Sequence, residues 1–599
     1  MRKNIIHRSL LVIITIILFS CEDWLDKHPY DVVSSDEVWT DITTAEGVLA
    51  NLYDRLNTSP FDKANMQLTD EAMWSGDRAG LNDIQNIPSN QFEYWDYTYI
   101  RDLNLFIEKA QASSLDNKKQ LEGEGRFLRA YTYFEMVKRF GGVPLVIKSY
   151  VYDENTPIEN YQPVRETEAG IYDFIASEID DIVSQSMLPE TKNFRRANKW
   201  SALALKSRAM LYAGSIAKYN SQMADPVTLP NGEVGIPANQ AQKYYQASWD
   251  AGLAIIKSEL YSTSTDYFAI FDKKSNDAMI MARDYVSPEY THDFTITNTT
   301  PSLAQTTNQG GEITPFLEFV ENYQTLDGKI EKLKDKTPDG SPVYYESMAN
   351  IFANRDKRLA ATVLYSGSEF KGKVTSIQAG QKVWNQQTGN YDYITGMSLG
   401  DKDENELLIR GFDGPSEDKN ITNTGFYLKK FVSTSSDAGL SAVKASNYWP
   451  IFRYAEILLN TAEAGFELGK PQAIDYINAI REDAGFGPNS LVSLTFEDII
   501  QERKVELAFE GHRYFDLKRW RLSEKIINGV KYHGLYPYLI VHPGNENHLK
   551  YTFERVDLKR LSRYKVFERT NYYTFIPGFA IEKLSLIHIS EPTRHLRIS

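Results

Sequence analysis

The chain has 599 residues, of which 42% are hydrophobic, 13% aromatic and 24% charged, a composition typical of a globular protein with a large core. Its formal net charge is −14 and it contains no basic cluster, so we predict no nucleic-acid partner. No long Gly-, Ser- or Pro-rich linker divides the chain, and we therefore expect one compact mature unit.

Residues 1–20 are predicted to form a secretory signal peptide. Arg2 and Arg8 provide its positive region, and the apolar stretch 10–19 is too short to span a bilayer as a permanent helix. Cys21 follows directly and is the only cysteine of the chain. An internal disulfide, a thiolate metal site and a cysteine nucleophile are therefore excluded.

Leu18–Cys21 resembles a bacterial lipobox, in which the cysteine becomes the first mature residue and carries the acyl chains. Glu22 and Asp23 come next and resemble the surface-export signal of Bacteroidetes lipoproteins. Several acyl chains on one cysteine attach a protein stably to a membrane. We expect a protein that is anchored in the outer membrane through Cys21 and faces outward.

The chain up to residue 256 is predicted to be rich in amphipathic helices. Apolar residues recur there at helical spacing, in the segments 99–110, 126–140, 171–182, 200–219 and 241–256. Near the C-terminus, a stripe from Ile451 to Phe466 predicts a further helix, and another begins near Gln472. Antiparallel helix pairs of this kind resemble tetratricopeptide units, which stack into a superhelical scaffold.

The sequence pattern of residues 257–447 differs from that of the helical segments on either side. Short β-prone runs such as 278–281 and 425–428 alternate with polar, Gly-rich loops. The longest stretch without helical or strand periodicity is 284–311, and it is interpreted either as a functional loop or as a surface loop without a function. The predicted fold class is mainly α, with an irregular loop-rich region that contains short β-strands.

No motif in the chain predicts catalysis. P-loop, Gly-x-Gly-x-x-Gly, Gly-x-Ser-x-Gly and His-Glu-x-x-His motifs are all absent from the sequence, so we predict no cofactor and no metal site. Carboxylates are plentiful, but no spacing selects the pair that a glycosidase needs. Glu502, Glu506 and Glu510 share a helix face with basic residues between them, which is typical of a salt-bridged structural helix. Thr495 and Asp498 resemble a capping box that opens it.

Two long stretches near the C-terminus carry a family resemblance. Asn447–Asn460 and Glu502–Trp520 together resemble the C-terminal signature of the SusD/RagB family of nutrient-binding lipoproteins. Shorter pieces also match, and they occur in the family's order, at 140–144, 354–358, 424–430 and 573–577. The resemblance covers about residues 21 to 583.

The resemblance implies a fold in which tetratricopeptide-like helix pairs support an irregular region that carries the ligand site. The corresponding parts of this chain are 21–256, 257–447 and 448–583 within a single unit. Residues 584–599 leave the family pattern and resemble a translated sequencing adapter, so we expect a non-native tail. The resemblance also implies that the signature residues are scaffold, with internal salt bridges at Arg453, Glu456, Arg513 and Asp516.

In the family's starch-binding prototype, an early loop and loops of the irregular region form the ligand site. The matching early loop here is 68–78, which resembles the family segment through Thr69-Asp70-Glu71 and Trp74. Gly76 stands where the prototype has a second tryptophan, which argues against starch as the ligand. Trp74 is either a ligand platform or a core residue. The candidate ligand-binding set is Trp74, Asp77, Arg78, Asn82, Tyr285 and Tyr290.

Members of the family are not enzymes and sit as lids on SusC-like TonB-dependent transporters. The leading functional hypothesis is therefore surface capture of oligosaccharides for such a transporter. The same role for peptides is the alternative, because the chain supplies both the rings that suit sugars and the polar groups that suit peptides. A surface glycosidase and a purely structural scaffold are the remaining hypotheses.

Overall fold

The computed structural model describes residues 36–76, 91–150, 153, 155–274, 276–305, 309–435, 438, 443–558 and 565–583. The predicted signal peptide, the predicted lipidation site Cys21 and the tail 584–599 lie outside the described residues.

Long helices form the scaffold. In chain order they are α1 (Ile42–Arg55), α2 (Tyr97–Ala112), α3 (Lys118–Phe140), α4 (Glu168–Ser184), α5 (Lys199–Asn220), α6 (Ala241–Ile256), α7 (Tyr454–Glu467), α8 (Ala473–Asp483) and α9 (Phe496–Glu506). From α2 to α6, each helix packs against the next one along the chain. The C-terminal helix α7 packs on α6 and α5, and α8 and α9 pack on α7, so the C-terminal pair extends the N-terminal stack. The predicted mainly helical, tetratricopeptide-like fold is confirmed.

Shorter helical segments complete the scaffold. The α-helical ones are Lys63–Gln67, Ala269–Asp272, Phe294–Asn298, Leu317–Glu321, Arg358–Thr362, Arg513–Arg519, Ser523–Ile527 and Gly578–Lys583. The 3₁₀ segments are Asp36–Thr40, Ile158–Tyr161, Ala238–Gln240, Pro301–Leu303, Asn350–Phe352 and Arg569–Tyr572. In the part of the chain that the structure describes, no helix combines the length and the apolar character that a bilayer crossing requires.

Close packing of α6 and α7 depends on a small residue at their contact. A Cβ atom at Gly465 would lie 2.3 Å from the Trp249 ring, so only glycine lets the two helices approach this closely. Helix starts follow the expected capping chemistry: the Asn198 side chain accepts from the Ser201 amide at 3.0 Å and opens α5. The predicted capping box of α9 is present, with Asp498 N donating to Thr495 Oγ1 at 3.2 Å.

The strands are short, and most of them pair over long distances in sequence. They are β1 (Ala72–Trp74), β2 (Met279–Arg283), β3 (Ile313–Pro315), β4 (Val363–Leu364), β5 (Glu369–Phe370), β6 (Lys373–Val374), β7 (Gly380–Asn385), β8 (Asn390–Ile394), β9 (Tyr427–Leu428), β10 (Trp449–Arg453), β11 (His533–Val541) and β12 (Tyr551–Asp557). The largest described sheet has the order β12-β11-β7-β8, in which β11 is antiparallel to β12 and parallel to β7.

Two features differ from the sequence interpretation. Ile451 lies in β10 and not in a helix, because residues 449–453 pair with β2, and α7 begins only at Tyr454. The segment 448–583, interpreted as helical, contributes β11 and β12 to the four-stranded sheet. Pro537 sits inside β11, and a proline in a run argues against a central strand when only the sequence is read. Its carbonyl nevertheless accepts from the Ala379 amide at 2.8 Å.

Candidate functional site

Residues of the C-terminal signature bind the Thr69-Asp70-Glu71 part of the early loop. The Arg513 guanidinium donates to both Asp70 oxygens, at 2.8 and 2.9 Å, and the Lys504 ammonium lies 2.8 Å from the same carboxylate. Burial works to raise the pKa of Asp70, but these two cations outweigh it and hold the pKa below its usual value. Asp70 is therefore an internal ion-pair partner and is not available to a ligand.

Two further buried groups fix the same segment. The Glu71 carboxylate accepts from the Phe509 amide and from the Thr69 hydroxyl, each at 3.0 Å, and burial raises its pKa to about 7. The Lys565 ammonium donates to the carbonyls of Gln67, Thr69 and Ala72. Burial lowers the pKa of Lys565 to about 7. The backbone that leads into Trp74 is therefore tied to the scaffold from both sides.

Trp74 is the last residue of β1, where it pairs with Ile313, and it is half-buried against the core of the irregular region. Gly76 follows with φ +62°, and a Cβ there would lie 2.8 Å from the Lys419 Cβ. A tryptophan at position 76 would collide with this backbone, so the chain has no room for the second early-loop ring of the starch-binding prototype. The predicted site residues Asp77, Arg78 and Asn82 lie outside the described residues.

A cavity of about 200 Å³ lies beside this loop. The Gly76 amide donates to Asn423 Oδ1 at 2.7 Å, and the Asn423 carbonyl accepts from the Tyr536 hydroxyl at 2.9 Å. Asn423 and Tyr536 therefore connect the early loop to the cavity wall. The cavity is lined by Glu417, Asn423, Tyr536, Tyr538, Val556, Asp557 and Leu558. Such a mixture of rings with amide and carboxylate groups is the usual lining of a small polar-ligand site.

Tyr285 and Tyr290 form a stacked pair at a different place. Their ring centroids are 4.9 Å apart with an interplanar angle of 8°. Tyr285 is only 5% exposed, whereas Tyr290 is 38% exposed and covers it. The Arg283 guanidinium lies 5.4 Å from the Tyr290 centroid and is paired with Asp54 at 2.9 Å. Of this pair, only Tyr290 offers a substantial accessible face.

The rest of the 284–311 stretch is more ordered than its sequence suggests. Phe294, which belongs to this stretch, is fully buried and begins a short helix, so it is a core residue. The His292 ring lies 4.1 Å from the Phe61 ring, and burial lowers the pKa of His292 to about 4. The Phe61 ring contacts the rings of Tyr285, His292 and Phe294. The stretch therefore packs around Phe61 although its sequence has no helical or strand periodicity.

The structure thus divides the predicted site residues between two places. Trp74 pairs with Ile313 in the loop that Gly76 joins to Asn423, whereas Tyr290 lies with Arg283 and Asp54. Sequence reasoning did not select Asn423, Tyr536 or Tyr538. The spacing of Tyr536 and Tyr538 places both on one face of a strand, and that is their local signal, whereas no such signal exists for Asn423.

The described residues hold no group of three or more His, Cys, Asp or Glu side chains arranged to bind a metal ion. At the cavity, Asp557 is hydrogen-bonded to the Lys531 ammonium, and the two atoms of that ion pair are 2.8 Å apart. This hydrogen bond lowers the pKa of Asp557, whereas the acid of a glycosidase needs a raised pKa. Asp557 therefore does not have the raised pKa of such an acid.

The signature residues have the internal partners that were expected of them. Arg453 pairs with Glu506 and Glu510, at 2.7 and 2.6 Å, and Arg513 pairs with Asp70. Glu456 is 2.6 Å from Arg208, and Asp516 is bound by Arg503 and Arg519. The prediction of internal salt bridges at these positions is confirmed.

Two family models match the chain. The SusD family model matches residues 270–581, and the model described as "Starch-binding associating with outer membrane" matches residues 23–211. Among curated proteins, the SusD-like protein P38 of Formosa agariphila is 24% identical over 556 residues, which cover 88% of this chain and 94% of that protein.

Solved structures of similar shape cover nearly the whole chain. A SusD-like protein from Bacteroides fragilis has a TM-score of 0.66 and 23% identity, and the match covers 93% of this chain and 98% of that one. A SusD-like carbohydrate-binding protein from the same species has a TM-score of 0.66 and 20% identity, with 91% and 99% covered. These similarities show the same fold.

Proposed function

The chain belongs to the SusD/RagB family, and on that premise we propose that it is a cell-surface lipoprotein that captures oligosaccharides and passes them to a SusC-like TonB-dependent transporter. One of the two matching family models describes proteins that bind starch and associate with the outer membrane. We propose binding without turnover.

The observation that carries the proposal is the hydrogen-bonded link between the loop that contains Trp74 and the wall of the cavity. A half-buried indole stands at the end of a rigidly held loop, and Asn423 links that loop to Tyr536 at the cavity wall. An aromatic face can cover the apolar C–H face of a sugar, while amide, carboxylate and phenol groups hydrogen-bond to its hydroxyls. Because Asp70 and Glu71 are held internally, little ordering entropy is lost when a ligand binds.

We expect the replacement Trp74→Ala to weaken glycan binding about 30-fold, which corresponds to loss of about 2 kcal/mol from one aromatic anchor. Trp74→Phe is the matched control because it keeps a flat ring. The probes are soluble starch, xyloglucan, arabinoxylan, mannan and polygalacturonate, titrated by calorimetry into wild type and both variants.

Three results would contradict parts of this proposal. Equal affinity of wild type and Trp74→Ala for a bound glycan would place the site elsewhere. Release of reducing sugar by the wild-type protein would contradict binding without turnover. Binding of peptides by a wild-type protein that binds none of the glycans would favour the peptide alternative.

The proposed anchor leads to a prediction for the Cys21→Ala variant. Wild-type protein is expected in the outer-membrane fraction together with a TonB-dependent transporter that co-purifies with it. The variant is expected in the soluble fraction, because the acyl chains supply the membrane affinity. Cys21→Ser, which also removes the thiol, should behave in the same way. A variant that stays at the cell surface and membrane-bound would show that the attachment does not depend on Cys21.

A further inference from the structure

The outer face of the four-stranded sheet carries a row of rings that continues from the cavity. Strand register decides which side chains share this face, because alternate residues of a strand point the same way. Lys382 pairs with Tyr393, and Trp384 pairs with Tyr391, across β7 and β8. On the other side of β7, the strand β11 places Tyr538 opposite Gly380.

Ring contacts form two neighbouring groups on this surface. The Tyr538 and Tyr393 centroids are 5.5 Å apart, and the Trp384 ring lies 5.1 Å from Tyr391. The His542 ring stacks on Trp384 at 4.5 Å with an interplanar angle of 5°. We call this surface the aromatic strip and define it as Trp384, Tyr391, Tyr393, Tyr538 and His542.

Most of the strip is accessible to solvent, although Tyr538 is only 8% exposed. Tyr393 is 55% exposed, and Trp384, Tyr391 and His542 are half-buried. Isolated exposed rings are common, but a contiguous row of them on a soluble surface marks a binding site more often than it occurs by chance. The strip therefore differs from the core rings, such as Phe294, that fill the interior of the same region.

Polar groups hold the exposed ring of Tyr393 in place. Its hydroxyl donates to Glu554 at 2.6 Å, and Glu554 also pairs with Lys382 at 2.5 Å. The Lys382 ammonium lies 5.0 Å from the Tyr393 centroid and 5.5 Å from that of Tyr538. The hydroxyl of Tyr391 is 2.9 Å from His542 Nδ1. A ligand that stacks on this strip would meet rings that are already oriented, which lowers the entropy cost of binding.

The strip and the cavity beside Trp74 are continuous. Tyr536 and Tyr538 line the cavity and lie on the same face of β11, and Tyr538 also contacts Tyr393 of the strip. Along β11, the six steps from Tyr536 to His542 span roughly 20 Å at the usual rise of a strand. A surface of this length exceeds what one or two sugar units can cover.

We propose that the aromatic strip is a second contact region for the same glycan, so that the ligand is an extended oligosaccharide that runs from the Trp74 cavity across the outer face of the sheet. This inference rests on the proposed function. Sugar is the occupant that the surface favours, because flat rings alternate there with carboxylate, ammonium and imidazole groups that bond to hydroxyls. A short ligand would occupy only the cavity, and a longer one would gain affinity from both regions.

The test varies the length of the glycan. The probe is whichever panel polysaccharide the wild type binds, together with its disaccharide and its longer enzymatic fragments. The variants are Trp74→Ala in the cavity region and Tyr393→Ala in the strip. Tyr393→Phe keeps the ring and removes only the hydroxyl, and Tyr150→Ala removes a similarly exposed tyrosine that lies outside the strip.

We expect Tyr393→Ala to weaken binding of long fragments about tenfold and to leave disaccharide binding unchanged. Trp74→Ala should weaken both, Tyr393→Phe should weaken long-fragment binding less than Tyr393→Ala because it keeps the ring, and Tyr150→Ala should bind like the wild type. Unchanged long-fragment affinity in Tyr393→Ala, with weakened binding in Trp74→Ala, would overturn the strip and leave the proposed function intact. A wild type that binds no glycan of the panel would overturn both, and equal wild-type affinity for short and long fragments would overturn the extended ligand.

Discussion

Replacing Arg358 by methionine is expected to lower the free energy of unfolding by about 4 kcal/mol, because it removes one member of a buried ionic cluster. The Arg358 side chain is 2% exposed and lies 2.6 Å from Glu502, 2.7 Å from Glu506 and 2.6 Å from Asp356. Methionine fills a similar volume but leaves these carboxylates without their shared cation. Urea denaturation followed by tryptophan fluorescence measures the loss.

The pH dependence of that loss separates a charge effect from a packing effect. Burial already raises the pKa of Glu502 in the wild type, and removal of the Arg358 cation should raise it further. A carboxyl whose folded pKa is raised stabilises the folded state at low pH and loses that contribution as pH rises. We therefore expect the difference between Arg358→Met and wild type to grow as the pH rises above the usual pKa of a carboxyl group.

Arg101→Met is the matched control, because the Arg101 side chain is 51% exposed and its ion pair with the neighbouring Asp102, at 3.4 Å, lies at the surface. Exposed pairs of this kind contribute about 0–1 kcal/mol. A loss at Arg358→Met that matches the control would mean that the buried cluster carries no net stabilisation, and a pH-independent loss would point to packing.

The second large effect is expected at Gly425→Ala, with a loss of about 3 kcal/mol or more in the free energy of unfolding. Gly425 has φ +86°, a conformation that disfavours L side chains, and an added Cβ would lie 2.1 Å from the Leu535 carbonyl oxygen. Leu535 belongs to β11, whose next residue, Tyr536, lines the cavity. The variant should therefore also weaken glycan binding, because β11 must move away from Asn423.

The variant Gly340→Ala separates backbone strain from the steric contact with Leu535. Gly340 has nearly the same backbone angle, φ +88°, but an added Cβ there meets nothing within 4 Å. We expect it to cost about 1 kcal/mol from backbone strain alone and to leave glycan binding unchanged. Equal melting temperatures for the two variants would show that the contact of the added Cβ with Leu535 relaxes without cost. The close approach of Leu535 would then not be the reason for glycine at position 425.

Elements that depend on neighbouring residues could be predicted from the sequence. The helices α5 and α6 were expected at 200–219 and 241–256 and occur at Lys199–Asn220 and Ala241–Ile256. Their apolar spacing and the capping residue Asn198 lie within the segment that they describe. The internal salt bridges of Arg453 and Asp516 were expected from the family resemblance alone.

Elements that depend on distant partners could not be predicted in the same way. The sequence contains Arg513 and Asp70, but nothing local indicates that they meet across 443 positions. Residue 451 was assigned to a helix because its apolar spacing continues that of α7, and only pairing with β2 makes it part of a strand. Short strands obtain their stability from the partner strand, so the signal within the segment itself is weak.

The candidate site shows the same division. The sequence by itself determined that Trp74 precedes a glycine in a loop with family character, and that Tyr285, Tyr290 and Phe294 share a segment without periodicity. Only the tertiary structure decided that Phe294 is core, that Tyr290 covers Tyr285, and that a cavity with Asn423 and Tyr536 lies beside the Trp74 loop. Local periodicity depends on neighbouring residues, whereas burial and the lining of a cavity depend on which distant segments pack together.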